Sequence, residues 1–272
     1  QDKNSTDRVF TNFVASYEAA DWMTLSYRLG IDSQNTRSRR VINKGSNDGL
    51  HPNGYLQTTS ERFTIWDQSL LASFDKELSE DFGIQATIGA TTKRQIFERD
   101  GSESRDQIIY GLWNHLNFSN SSTIIEGTVF ADNNQTYQTY SEQNNVAAYV
   151  SGTLSYKNYL YLNTSLRNEW NSTLEQENRA QFSPGVSLSF VPTSAFEGLR
   201  SSNGLNFLKL RAGYGTSANF PTGYPIATTL SLNTRAFKDD AGVDIVTNAT
   251  GNRLGNPNLK PERIDELEFY KN

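Results

Sequence analysis

Phe182-Ser183-Pro184-Gly185-Val186-Ser187-Leu188-Ser189-Phe190 decides the fold. Every second residue is apolar (Phe182, Pro184, Val186, Leu188, Phe190), and the residues between are serine or glycine. Successive side chains of a strand point to opposite faces, so this segment has one greasy side and one small polar side. Such a period of two excludes a helix here.

The same pattern spreads in both directions. Met23, Leu25, Tyr27, Leu29 and Ile31 alternate with Thr24, Ser26, Arg28 and Gly30. Phe82, Ile84, Ala86, Ile88 and Ala90 alternate with Gly83, Gln85, Thr87 and Gly89; Leu160, Leu162, Thr164 and Leu166 with Tyr161, Asn163, Ser165 and Arg167. Leu208, Leu210, Ala212 and Tyr214 alternate with Lys209, Arg211 and Gly213, and further strands are expected near 7–18, 62–76, 145–157 and 260–270. Short turns join strands at Glu18 to Asp21, Asp75 to Asp81 and Tyr156 to Asn158, and long polar connections are expected over about 33–61, 94–143 and 217–259. Residues from Ser194 to Asn206 read as a longer turn with a helical turn at Ala195 to Leu199. Tight turns on one end and long loops on the other describe an up-and-down outer-membrane barrel. Aromatics gather at the short turns (Tyr17 and Trp22; Phe74 and Phe82; Tyr156, Tyr159 and Tyr161), as in the interfacial girdle of such a barrel.

Alternation alone serves two architectures. In a soluble sandwich the apolar face is a core; in a barrel it meets lipid, and the polar face, with Arg28, Arg167, Glu169, Lys209 and Arg211, lines the lumen. Composition narrows the functional classes. The net charge of −5 argues against a nucleic-acid partner. The absence of cysteine removes disulfides, a cysteine nucleophile and thiolate metal sites, and the two histidines, His51 and His115, make a structural zinc site a poor fit. No stretch reaches the length of a membrane helix, which leaves a barrel open. The start, Gln1-Asp2-Lys3-Asn4, lacks the regions of a signal peptide, and Leu267 onward reads as a strand cut partway, so the chain reads as a piece of a longer protein.

Longer motifs carry a resemblance. Tyr156-Lys157-Asn158-Tyr159-Leu160-Tyr161-Leu162 followed by Arg167-Asn168-Glu169-Trp170-Asn171-Ser172-Thr173-Leu174 resembles paired strand segments of SusC/RagA-like TonB-dependent receptors. Phe182 to Val191, Leu208-Lys209-Leu210-Arg211-Ala212-Gly213-Tyr214-Gly215 and Asn256-Pro257-Asn258-Leu259-Lys260-Pro261-Glu262-Arg263 resemble later strands of that family, in the family's order. The resemblance implies an all-β, antiparallel, up-and-down transmembrane β-barrel, present in part. About ten or eleven strands are read here, against about 22 in large outer-membrane transporters, with the plug domain, the TonB box and the terminal strand absent. Residues 1–272 are then one portion of a barrel domain. It further implies a bacterial outer-membrane importer of glycans or peptides with no cofactor and no catalytic residues. Its partners are a SusD-like surface lipoprotein, TonB acting through the missing plug, outer-membrane lipid, and an oligosaccharide or peptide ligand.

Two other classes compete. A soluble β-sandwich could bind carbohydrate through Trp113, Tyr137 and Tyr140. A glycosidase would need paired carboxylates such as Glu126 and Asp132, or Asp239, Asp240 and Asp244, but nothing fixes their separation, and the second run lacks the ligand spacing of a calcium loop. In the importer reading, loop residues Trp113, His115, Tyr137, Tyr140 and Tyr224 are the candidates for ligand or partner contact.

Overall fold

The computed structural model describes residues 1–119, 123–125, 128–130, 135–200, 205–228, 230–250 and 254–271. The strands in chain order are β1 (Asp2–Ala20), β2 (Met23–Ile42), β3 (Tyr55–Glu77), β4 (Phe82–Arg105), β5 (Thr123–Ile125), β6 (Thr128–Phe130), β7 (Gln135–Tyr156), β8 (Leu160–Asn171), β9 (Ala180–Phe190), β10 (Leu210–Asn219), β11 (Leu230–Lys238), β12 (Asp244–Thr250) and β13 (Glu262–Lys271). Nine of them form one antiparallel sheet in the order β1-β2-β3-β4-β7-β8-β9-β10-β13, and β5–β6 and β11–β12 are separate two-stranded ribbons. Each of the nine segments expected from alternation falls on a sheet strand, except that Lys157 lies just past the end of β7 and Leu208, Lys209 and residues 260–261 lie just ahead of their strands; the one or two further strands expected are not in the sheet. The sheet does not close: among the described residues β1 pairs only with β2, and β13 only with β10.

The strand register sorts side chains onto faces, because directly opposed residues share a side. Phe82, Tyr156, Leu160, Phe190 and Leu210 form one row across five strands; Ile84, Leu154, Leu162, Leu188 and Ala212 form the next. Phe182 and Val186 stand on the same side, so the expected apolar face is a single surface. The apolar stretch also slips along the ladder. Tyr27, the middle of the stretch in β2, is linked through Leu70, Ala90 and Ala148 to Asn168, whereas Val186, the middle in β9, is linked back through Thr164, Gly152, Ala86 and Phe74 to Met23 at the foot of β2. A level band can slip this way only if the strands tilt, as barrel strands do.

Two of the three expected long connections are shortened, and the third is shifted by two or three residues. β2 runs on to Ile42 and β3 begins at Tyr55, leaving 43–54 in place of 33–61; β4 and β7 leave 106–134 in place of 94–143; and β10 and β13 leave 220–261 in place of 217–259. The reason is physical: beyond the apolar stretch both faces of these strands are polar, so hydrophobicity no longer alternates although the backbone ladder continues to pair Asn35 with Arg62 and Arg62 with Glu98. The long connections lie at one end of the sheet and the turns 21–22, 78–81 and 157–159 at the other. Lys157 (φ 46) and Asn158 (φ 57) take the left-handed conformation that a tight hairpin demands. The longer turn holds a short helix α1 (Pro192–Ala195) and a 3-10 turn at Glu197–Leu199, close to where a helical turn was expected.

Candidate functional site

The apolar face is uncovered. Phe13 is 57% exposed, Leu70 61%, Ile88 54% and Leu188 48%, values no sandwich core would show. A second sheet packed over these residues is the sandwich's defining feature, and among the described residues there is none. At the short-turn end the face closes in a belt of rings. Trp22 stacks with Phe74 at 6.1 Å, Phe82 meets Tyr156 at 4.7 Å, and Tyr156, Tyr159 and Phe190 follow edge to face. Lys76 lies over Trp22 and Lys157 over Tyr156. Trp66 and Trp170 stand on the same face toward the other end. Rings with polar tips or neighbouring ammonium groups suit the two boundaries of a hydrocarbon layer.

The opposite face is hydrophilic and hollowed. Asn163, Ser187, Arg211 and Glu268, on four adjacent strands, line one concavity of about 450 Å³, so the sheet curls toward its polar side. Small residues here let larger ones lie flat: Tyr149 lies so closely over Gly89 that a Cβ there would meet its Cζ at 2.5 Å. Arg28, opposite Val14 and Ser69, stands on this face. Arg167 donates from Nε to Glu169 Oε2 at 2.8 Å and sits 5.9 Å over the Tyr149 ring, and Asn145 donates its amide to the same Glu169. Arg211 reaches toward Ser187 Oγ at 3.5 Å. Lys209 precedes β10 by one residue. Arg8 grips Asp32 with two hydrogen bonds of 2.8 and 2.6 Å, a fork-to-fork pair that sequence spacing did not reveal.

The candidate loop residues separate into three groups. Trp113 packs on a small core of Val41, Leu56 and Phe118, and its carbonyl accepts from Arg39 at 3.3 Å. His115 bonds through Nε2 to Thr58 Oγ1 at 2.9 Å and through Nδ1 to Ser104 Oγ at 2.8 Å, and burial, with the Arg39 charge second, pushes its pKa below the usual value. Thr58 and Ser104 stand on the side of the sheet that bears the apolar face lower down, so residues 106–119 form a cap folded onto that side. Buried Asn117 holds the cap together, donating to the carbonyls of Ile109 and Leu112 at 2.7 and 2.9 Å. In the second group, the Tyr140 hydroxyl donates to Glu142 at 2.6 Å, and Arg94 and Asn144 also donate to that carboxylate. Tyr224, from the connection 220–261, donates to the backbone carbonyl of Glu142 and bonds Ser172 Oγ at 3.2 Å, tying that connection to the tops of β7 and β8. Third, Tyr137 pairs with Gly101 in the ladder. Thus the structure brings Tyr140 and Tyr224 to one point and places Trp113 and His115 apart from them.

Glu126 and Asp132 lie outside the described residues. Asp239 caps its own turn by accepting from the amides of Ala241 and Val243. Among the described residues no group of three or more acidic, histidine or cysteine side chains could hold a metal ion.

Comparison with known proteins agrees with this geometry. The fold is similar to that of a chain in the structure of the RagAB peptide transporter, with a TM-score of 0.83 and 18% identity over 99% of this chain and 28% of that one. It is likewise similar to the RagAB peptide importer in its closed-closed state (TM-score 0.84, 18% identity, 100% and 28% covered) and its open-open state (0.79, 18%, 100% and 28%). This chain therefore spans about 28% of the length of the chains matched in these RagAB structures, and at this identity the likeness is one of fold. No curated protein sequence matches it. The family model described as the β-barrel of TonB dependent receptor-like proteins matches residues 1–270, and the chain belongs to that family.

Proposed function

We propose that this chain is part of the wall of a bacterial outer-membrane importer that takes up peptides or oligosaccharides. It works with a SusD-like surface lipoprotein and draws energy from TonB through a plug region encoded outside these residues. The observation that carries the reading is the two-faced sheet: a continuous uncovered apolar surface on one side and a hollowed hydrophilic surface on the other. Such a wall has lipid outside and a polar passage inside. In this reading Arg28, Arg167, Glu169, Lys209 and Arg211 face the passage. The tops of β7 and β8, with Tyr140 and Tyr224, and the cap with Trp113 and His115 lie on the extracellular side, where ligand and lipoprotein arrive. The protein acts by binding and passage, and no step of covalent chemistry is assigned to it. Uptake of labelled peptides and oligosaccharides by cells carrying or lacking the full-length gene tests this. Uptake should depend on both the gene and TonB, and gene-dependent uptake that persists without TonB would refute the reading.

A further inference from the structure

High on the hydrophilic face lies an apolar island. Phe63 of β3 and Phe97 of β4 are directly opposed in the ladder, and in the next row down Phe10 of β1 and Ile65 of β3 flank Asp32 of β2. Opposed residues share a side, with Cβ atoms about 4.5–5.5 Å apart, so the two phenylalanines form one surface. All four apolar residues stand on the side of Arg28 and Ser69. Phe10 is 79% exposed and Phe63 39%. In the rows directly above and below, every residue from β1 to β7 is polar, charged or glycine. Single apolar residues on a wetted surface are ordinary, but a group ringed by polar residues marks a binding surface. The charges around the island are of two kinds. Arg8 is bound to Asp32 at 2.8 Å and Arg99 to Glu61 at 3.0 Å. Asp67 and Lys93, directly opposed in the row below the island, are exposed and form no ion pair among the described residues. Trp66, beside Ile65 on the lipid side, stands toward the upper end of the apolar band, and Phe63 lies about 10 Å of strand beyond it. A ligand entering from outside therefore meets the island.

We infer that this island is a specificity site of the passage, taking a large apolar side chain of a short peptide whose charged groups meet Asp67 and Lys93. It rests on the import function proposed above and selects peptides over oligosaccharides. Sugar rings stack on aromatic faces, but Ile65 offers none. A neutral oligosaccharide has no apolar side chain to bury here, and no charge to answer an unpaired carboxylate beside an unpaired ammonium. A peptide brings all three: an apolar side chain, an ammonium and a carboxylate. Apolar contact then holds the side chain, and the few charged groups orient the rest of the ligand.

The test uses cells carrying the full-length receptor with its lipoprotein, supplied with a mixture of short random-sequence peptides. Gene-dependent uptake is read by mass spectrometry as a ratio: peptides containing phenylalanine or leucine over peptides of small and polar residues only. Such a ratio is insensitive to how much receptor reaches the membrane. The native receptor should favour the apolar set about tenfold, the scale of one buried large side chain. Phe63→Ser/Phe97→Ser should abolish the preference, and Phe63→Leu/Phe97→Leu should keep it. A neutral glucan oligosaccharide in excess should not compete. No preference in the native receptor, an unchanged preference in the serine variant, a leucine variant as indifferent as the serine one, or competition by the glucan each overturns the site. An unchanged preference with faster hydrogen exchange in the plug assigns the island to plug packing instead. Gene-dependent uptake, of peptide or of glucan, without the expected selectivity sinks the specificity site alone. Absence of any gene-dependent uptake sinks the import reading with it.

Discussion

The lower and upper halves of β2, β3, β4 and β7 share one unbroken backbone ladder but are held in place differently. In the lower half one face is bare hydrocarbon and the other carries serines, threonines and glycines with residues such as Arg28 and Tyr149 among them, and rings gather at the turn end. In the upper half charged pairs bridge neighbouring strands (Arg99 to Glu61 at 3.0 Å, Arg62 to Glu98, Arg94 to Glu142), and a folded cap with its own small core sits on one face. The difference teaches that the ladder supplies the strands while the surroundings dictate the side chains. Where lipid surrounds the wall, every backbone group is satisfied within the sheet and side chains need only be apolar. Where water surrounds it, cross-strand ion pairs and a packed loop take over, each exposed pair contributing little alone.

The comparison can be broken hardest at the middle of the band. Ile88→Arg should destabilise the receptor in a bilayer by about 2–4 kcal/mol, while Thr87→Arg on the polar face should cost far less. Leu188, only two residues from Phe190 in the ring belt, should tolerate arginine better than Ile88 does. Denaturant unfolding in vesicles measures all three, and equal costs at 87 and 88 would void the facing. Gly152→Ala comes next, at about 2 kcal/mol by overpacking, because its Cβ would lie 2.9 Å from the fixed carbonyl of Gln85. Gly89→Ala should cost about 1 kcal/mol, since the clashing atoms are the far end of the Tyr149 side chain rather than backbone; a reversed order in unfolding midpoints would contradict this. In the upper half, Trp113→Ala should weaken the cap by about 2 kcal/mol, below the full cost of truncating a buried aromatic because the ring is partly exposed. Faster hydrogen exchange confined to residues 106–119 is the expected readout, and unchanged exchange would show that the cap does not rest on this ring. The smallest effect is one of pH. His115 is held neutral with a lowered pKa, so the open cap takes up a proton before the closed one does. The cap should keep its full stability above about pH 6.5 and lose some as pH falls through that value toward the lower folded one. His115→Gln should remove that dependence in the exchange rates, and a cap equally protected at pH 7.5 and 5.5 would contradict it.

These two halves also differ in how much of them the sequence discloses. Alternation at 82–90, 160–166 and 182–190 marks the lower strands, because only lipid on one side forces a period of two. Residues such as Asn35, Arg37, Arg62 and Glu98 give no such signal, so the upper strands read as loop, and a pair such as Arg94 with Glu142, 48 residues apart, becomes visible only with the register. Arg28, Arg167, Glu169 and Arg211 fall on the polar face as their parity requires. The loop aromatics carry no periodicity, so neither the packing of Trp113 onto Val41 and Leu56 nor the bond from Tyr224 to Glu142 could be anticipated from their spacing.

Electron paramagnetic resonance on β4 tests the central claim most directly. This chain has no native cysteine, so once any cysteine elsewhere in the receptor is replaced, nitroxides can be placed singly at Ile84→Cys through Thr91→Cys in the intact receptor in a bilayer. Residues 84, 86, 88 and 90 should be readily relaxed by oxygen dissolved in lipid and shielded from a water-soluble nickel chelate. Residues 85, 87, 89 and 91 should show the opposite, so that accessibility oscillates with a period of two. A flat profile, or one in which 84, 86, 88 and 90 meet the chelate, would contradict the claim that this sheet is a membrane wall with its apolar face toward lipid.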